Sequence, residues 1–281
     1  MLAFIDRSPS AFHAVNNFRE ILLGNGFSEL SESRPWNLAK GGKYFVTRNG
    51  SSLISFVIPE NGFRNFRMTA SHSDSPSFKI KPGCSMKSDG VTRLKYGGML
   101  CAPWFDRPLG VAGRLVVNDG ETGVRTVLVD IDRALLMIPN LAVHMNRDSG
   151  NKFEANVQND MLPVFSLGDA DLMELAAENA GVRKEDVLDA DLFLYNRDKG
   201  IFWGAENEFI ASPRLDDLEC AYSTMTGFIE ASAGMKGSSA AVHCVFDNEE
   251  VGSATRQGAA STFLRDTLYR ISAAFSEGGF S

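Results

Sequence analysis

Four cysteines and four histidines are all that the 281 residues contain, and their scarcity narrows the chemistry. Cys84, Cys101, Cys220 and Cys244 make no Cys-x-x-Cys pair, which argues against a disulfide framework and predicts free thiols in a reducing cytoplasm. Positive charge is also in short supply. Lys and Arg number 28 against 35 Asp and Glu, a net charge of −7, which argues against a broad nucleic-acid or anionic-membrane footprint. No apolar run approaches the ~20 residues of a membrane span. Met1-Leu2-Ala3-Phe4-Ile5-Asp6-Arg7 lacks the basic region and long apolar stretch of a signal peptide. A Gly-x-Ser-x-Gly elbow is missing, which weighs against a Ser-His-Asp hydrolase. A Gly-rich phosphate loop after a strand is missing too, which weighs against nucleotide binding. Neither repeats nor low-complexity segments occur. What remains, 44% hydrophobic and 22% charged, is ordinary for a globular chain, and the length fits one large domain or two.

Three segments concentrate the polar chemistry. In Asp247-Asn248-Glu249-Glu250-Val251-Gly252-Ser253 an acid pair follows the apolar run Ala240–Phe246, which reads as a buried strand. Alternation along a strand would send Glu249 and Glu250 to different sides, one to grip a metal and one to stay free as a base. Taken alone, the segment also reads as a solvated acidic turn capping a helix. In Thr69-Ala70-Ser71-His72-Ser73-Asp74-Ser75-Pro76, His72 and Asp74 stand two apart after a strand-like run. A carboxylate there can orient a ligating imidazole, although His-x-Asp alone is commonly a surface turn. In Ser212-Pro213-Arg214-Leu215-Asp216-Asp217-Leu218 an amphipathic stretch follows, so Asp216 or Asp217 makes a good helix N-cap. The same strand-to-helix junction could hold a carboxylate bridging two cations. Together the segments supply most of a two-metal hydrolytic site.

Along the chain, the spacing of Phe12, Val15, Phe18 and Leu22 predicts a helix from Ser8 to about Leu23, stopped by Gly24-Asn25-Gly26. Lys43–Thr47 and Ser52–Val57 flank Asn49-Gly50, a hairpin signal. From Val91 to Leu136 short β-rich runs appear, including Ala112–Val117 and Arg125–Ile131. Asn146 to Asp160 reads as loop, Asp169 to Ala180 as helix and Asp191–Tyr195 as strand. The expected fold is α/β: a catalytic domain in two parts, residues 1–80 and 211–281, interrupted by a β-rich association domain at 81–210.

Ser71–Pro76, Trp104-Phe105-Asp106-Arg107, Ile138-Pro139-Asn140-Leu141-Ala142-Val143-His144, Ser212–Leu218 and Asp247–Ser253 resemble, in order and separation, motifs of the M18 metallopeptidases, the aspartyl aminopeptidase family. The opening Ser8–Val15 resembles that family's first helix. The resemblance implies a zinc-aminopeptidase-like catalytic domain with an inserted dimerisation domain, assembled into a large homo-oligomer. It implies two zinc ions per complete active site and peptide substrates with acidic N-terminal residues. By position, His72 would ligate one zinc, Asp216 would bridge both and Glu250 would ligate the second. Glu249 would be the general base, and Asp74 would orient His72. His144 would reach substrate in a neighbouring subunit, and a cis peptide would follow Asp216. The family draws two further ligands, an Asp and a His, from segments beyond the helix after Gln257-Gly258-Ala259, so the expectation is a site incomplete in these 281 residues. Two other readings stay open: another dinuclear metal amidohydrolase, and an inactive chain acting as an assembly or interaction module.

Overall fold

Asn49 and Gly50 both take positive φ, 57° and 67°, and the Ser51 N–H reaches the Arg48 carbonyl at 3.2 Å, the tight turn that suits the twist of a hairpin. It joins the second and third strands of a computed structural model that describes residues 1–81, 93–120, 123–145, 153–235 and 237–275. Cys84, the start of the expected β-rich run at Val91 and residues 146–152 of the expected loop lie outside the described residues. The chain divides into two compact units, Met1–Ser75 with Gly200–Ser281, and Pro76–Lys199.

In chain order the elements begin with α1 (Leu2–Asp6), α2 (Ala11–Gly24), β1 (Ser28–Leu30), β2 (Lys43–Arg48), β3 (Ser52–Val57), β4 (Asn65–His72), β5 (Ser77–Ile80), β6 (Arg93–Tyr96), β7 (Leu109–Asn118) and β8 (Val124–Leu136). They continue with α3 (Val157–Asp160), α4 (Leu172–Asn179), β9 (Val187–Asn196), β10 (Ile201–Trp203), β11 (Phe209–Ala211), α5 (Leu215–Ser232), β12 (Ser239–Phe246) and α6 (Phe263–Phe275).

The first unit holds a five-stranded mixed sheet in the order β1-β2-β3-β12-β4. All six residues of β3 are buried, because both faces of the sheet are covered. Phe45, Leu53 and Val245 pack on one side with Phe18 of α2 and Met225 and Phe228 of α5. Their neighbours Val46, Ile54 and Cys244 pack on the other with Phe263 and Ile271 of α6. The strand alternation thus splits one apolar run into two cores. The helix expected from Ser8 starts three residues later. Ser10 is extended at its N-cap, and the Ser8 hydroxyl is spent on the Phe4 carbonyl at 2.7 Å, closing α1.

The second unit is built on an antiparallel sheet in the order β6-β5-β9-β7-β8. β7 and β8 run for 10 and 13 residues, beyond the runs expected, with Leu109–Val111 and Asn118 extending the first and Val124 and Asp132–Leu136 the second. On the inner side Val111, Leu115 and Val129 join Leu192 and Leu194 of β9 and Leu172 of α4 in one core. Asp171 caps α4 by accepting from the Met173 and Glu174 amides.

Candidate metal centre

β4 and β12 run parallel, with His72 opposite Phe246 at their last register pair, so both strands end at the same edge of the sheet, where α/β proteins commonly place chemistry. The His72 N–H donates to Asp217 Oδ2 at 3.0 Å, and Nδ1 lies 3.0 Å from the Asp74 carbonyl oxygen and 3.3 Å from its Oδ1. These contacts leave Nε2 facing carboxylates: Asp216 Oδ1 at 3.3 Å, Asp217 Oδ2 at 3.8 Å and Glu249 Oε2 at 3.9 Å. Burial alone would lower the imidazole's pKa. The hydrogen bond and charge of Asp74, with the charges of Asp217 and Asp216, outweigh it and push the value up to about 9. The field at Nε2 therefore favours positive charge.

Asp74 is almost fully buried and has a second task. Its Oδ1 and Oδ2 accept the Glu249 and Glu250 backbone N–H groups, each at 3.2 Å. One carboxylate thus fixes both the imidazole and the acid pair. The acid pair does not extend the strand, as the alternation argument assumed. β12 ends at Phe246, and Glu249–Val251 form a 3₁₀ turn entered through Asn248 at φ 63°. Gly252 leaves it at φ 96°, a conformation suited to glycine. Asn248 ties the turn down: its carbonyl accepts from Ser253 N–H at 2.8 Å, and its Oδ1 accepts from Thr255 Oγ1 at 2.6 Å and Gln257 Nε2 at 2.9 Å.

Glu250 makes no ion pair with the His72 ring, yet it shares the same field. Burial and the charges of Asp216 and Asp74 raise its pKa to about 7. Asp247, buried behind the turn, is raised to about 6 by burial, with the charge of Asp74 adding to it.

The helix-cap reading of Asp216 and Asp217 fails in the structure. Both side chains turn to His72, and Asp217 Oδ2 accepts the His72 N–H in place of a helix amide; the peptide between the two residues is cis. The Asp216 carbonyl accepts from Ser75 Oγ at 2.7 Å. Sequence reasoning placed Asp216 at the site but gave Asp217 only a capping role; an unbroken Asp-Asp pair at a strand-to-helix junction was the available signal. His144 lies in the second unit, exposed in a turn. Its segment is anchored by Asp106, whose carboxylate accepts the Asn140 backbone and side-chain N–H groups, each at 2.8 Å.

His72, Asp216 and Asp217 offer ligand atoms that all lie within 4.8 Å of one another. Zinc takes imidazole nitrogen and carboxylate oxygen at about 2 Å, so ligands sharing an ion stand roughly 3–4 Å apart. The 3.3 Å from His72 Nε2 to Asp216 Oδ1 fits that spacing, and the donor chemistry fits zinc.

Residues 4–279 match the family model of the aminopeptidase I zinc metalloproteases, M18. The chain belongs to the M18 family. It is 43% identical to a probable M18 family aminopeptidase 2 of Clostridium acetobutylicum, over 98% of this chain and 66% of that protein. It is 36% identical to aspartyl aminopeptidase 4 of Saccharomyces cerevisiae, over 96% of this chain and 63% of that protein. The structure of the S. cerevisiae mApe1 dodecamer superposes with a TM-score of 0.86 at 28% identity, over 100% of this chain and 67% of that one. This M18 chain therefore has a mixed α/β fold matching solved members, and it spans about two thirds of the length of the relatives it matches. Among its described residues no helix is long and apolar enough to cross a membrane.

Proposed function

We propose that the His72 cluster is the peptide-hydrolysing site of a zinc-dependent aminopeptidase that removes acidic N-terminal residues from peptides. The observation that carries the reading is the convergence of three carboxylates on His72 Nε2, with no Arg or Lys paired to any of them among the described residues. His72, Asp216 and Glu250 would hold the metal, two zinc ions per complete site, and Asp217 stands close enough to His72 to join them. When bound, zinc polarises the scissile carbonyl and makes water a competent nucleophile near neutral pH.

Glu249, more than half exposed, is the general base. Its Oε2 takes a proton from the attacking water and returns it to the departing amine nitrogen. Asp74 keeps Nδ1 of His72 engaged, leaving Nε2 for the metal, and holds the backbone of Glu249 and Glu250 in place. The preference for acidic residues follows the aspartyl aminopeptidases among the relatives. By analogy with the dodecameric mApe1, the chain forms homo-oligomers. The second unit is the association domain, and His144 serves substrate binding across a subunit boundary.

A second reading, an assembly module without activity, is favoured by the single imidazole at the cluster. One experiment separates the two readings: zinc stoichiometry of the 281-residue chain, with assay of release of N-terminal Asp, Glu and Leu. Two tightly held zinc ions with turnover support the aminopeptidase. Neither zinc nor turnover supports the module. Release of an acyl group in place of an amino acid would point to an amidohydrolase.

A further inference from the structure

Asn248, Gly252 and Ser253 all take positive φ, at 63°, 96° and 59°, so the acid turn is entered and left through left-handed backbone. Only one of the three is glycine. Outside glycine that conformation costs free energy and persists where the surroundings enforce it. Asn248 does not enforce it alone. Its Oδ1 is taken up by donors from the loop that follows, Thr255 Oγ1 at 2.6 Å and Gln257 Nε2 at 2.9 Å.

Gln257 is the hub of that loop. Its side chain also hydrogen-bonds the carboxylate of Asp247, which in turn accepts the Asn248 N–H at 2.7 Å. Its backbone carbonyl accepts from the Asp247 N–H at 3.3 Å and from Ser52 Oγ at 2.6 Å. Side chain and main chain of one residue thus grip the start of the turn together. Ser52 is fully buried on β3. The carbonyl of Arg256 accepts from Arg48 Nη1 of β2 at 3.2 Å. Arg48 is itself buried. Glu32 holds its Nε at 3.0 and 3.1 Å, and its guanidinium lies 4.4 Å from the centroid of the Phe263 ring. Past Gln257 the loop closes so tightly that a Cβ on Gly258 would fall 2.1 Å from the Ser253 carbonyl oxygen. The loop is therefore fixed to β2 and β3, and its hold on Asn248 has a rigid base.

We propose that Gln257 is a positioning residue for the acid pair: by clamping Asp247 and Asn248 to the β2–β3 hairpin, it holds the turn that carries Glu249 and Glu250 and presents their N–H groups to Asp74. The proposal rests on the reading of Glu249 as base and Glu250 as metal ligand, and it adds a residue outside the cluster on which their placement depends. Gln257 carries no charge and acts through Asn248, so it leaves the donor set at His72 as it is. What it supplies is pre-organisation. A carboxylate on a fixed turn has less conformational freedom to lose when it grips a cation.

The test uses the 281-residue chain and two variants. Gln257→Met removes the donor with little change of size, and Thr255→Val removes the other donor to Asn248. Amide-resolved hydrogen exchange reads local opening of the turn directly. Zinc affinity, by competition with a chromophoric chelator, reads its consequence. Exchange at Glu249 and Glu250 should rise about tenfold in Gln257→Met, beyond any change at Val242 and Val245 of β12, as the loss of one partly buried hydrogen bond implies. The zinc dissociation constant should rise with it by roughly five- to tenfold, and Thr255→Val should show smaller changes of the same kind. If Gln257→Met does not fold, Thr255→Val carries the same test. Unchanged exchange at Glu249 and Glu250 in a folded variant overturns the proposal. Exchange that rises equally along β12 overturns it as well, because the role is then in stability alone. So does faster exchange at the turn with unaltered zinc affinity, since the turn then places no ligand. A wild type that binds no zinc sinks the aminopeptidase reading, and the exchange pattern alone then decides whether Gln257 holds the turn.

Discussion

On the sheet of the second unit, Asp191 lies 2.5 Å from Lys79 and 3.0 Å from Arg114, and Asp132 lies 2.7 Å from Arg197. Burial works against the charge of Asp191, but its two cations hold its carboxyl below the usual range. At the strand ends of the first unit, Asp216, Asp217, Glu249 and Glu250 crowd around one imidazole, and none pairs with Arg or Lys among the described residues. The first unit does use such pairs elsewhere, as between Arg48 and Glu32 at 2.5 Å. Acids on one sheet are thus neutralised in place, while acids at the other sheet's edge are left for a cation from outside. The pKa values of His72, about 9, and Glu250, about 7, are raised in part by that unpaired negative charge, with burial the first cause at Glu250.

The sharpest way to test the contrast is to neutralise one acid of the cluster. Glu249→Gln in a full-length form should reduce turnover by about 10²–10⁴-fold, the usual share of a general base, with zinc content nearly unchanged. Loss of zinc on that substitution would make Glu249 a ligand and exchange its role with that of Glu250.

Removing an acid that the fold itself depends on should be next in size. Asp74→Ala leaves the Glu249 and Glu250 backbone N–H groups without their buried acceptor and removes the carboxylate charge beside His72, whose Nδ1 keeps the residue-74 carbonyl; the loss should be roughly 3 kcal/mol in a urea titration. Asp191→Ala, at the partly exposed triad of the second unit, should cost about 1 kcal/mol or less. Equal losses at the two sites would erase the distinction between a structural and a solvated carboxylate.

A similar contrast exists between two histidines of the first unit. His243 is fully buried on β12, with Nδ1 3.0 Å from Thr69 Oγ1, and burial lowers its pKa to about 4. Between pH 6.5 and 4 the unfolded chain binds a proton that the folded one refuses. Stability is therefore lost as pH falls through that window, by roughly 3 kcal/mol. His72 has the opposite sign: its contribution is full below pH 6.5 and fades as pH rises through about 9. Urea midpoints at about pH 7 and about pH 5 for the wild type and His243→Phe measure the first slope, which the variant should flatten. An unchanged slope would assign the acid sensitivity to other groups.

Local sequence signals exposed much of this. The Asn49-Gly50 turn, the stripe of α2 and the strands leading to His72 and the acid pair all follow from periodicity and turn chemistry. The three segments that supply the cluster could be found because each couples a strand end to carboxylates. Less was legible where non-local contacts decide. The 3₁₀ turn that carries Glu249 and Glu250 is entered through a left-handed Asn248 held by Thr255 and Gln257, and the double duty of Asp74 requires β4 and β12 to lie side by side. The cap propensity of Asp217 is real, but the His72 amide outcompetes it. β10 and β11 gave no alternation signal because both of their faces are apolar.

The smallest expected effect concerns Asp106. It sits at φ 57°, and the two hydrogen bonds from Asn140, backbone first, hold its carboxyl below the usual range despite its exposure. Asp106→Gly keeps that backbone conformation available and removes only the carboxylate. Global stability should change by no more than about 0.5 kcal/mol, as for most surface substitutions. Hydrogen exchange at the Asn140 amide should nevertheless rise several-fold, since that N–H loses its acceptor and the segment leading to His144 loses its tether. Because the folded pKa is lowered, the tether is fully present above the unfolded value near 4 and loosens as pH falls below it, so the wild type at low pH should approach the variant. Unchanged exchange in the variant would show that the segment is held by its bridge between Phe105 and Ile138 and that Asp106 contributes little to placing His144.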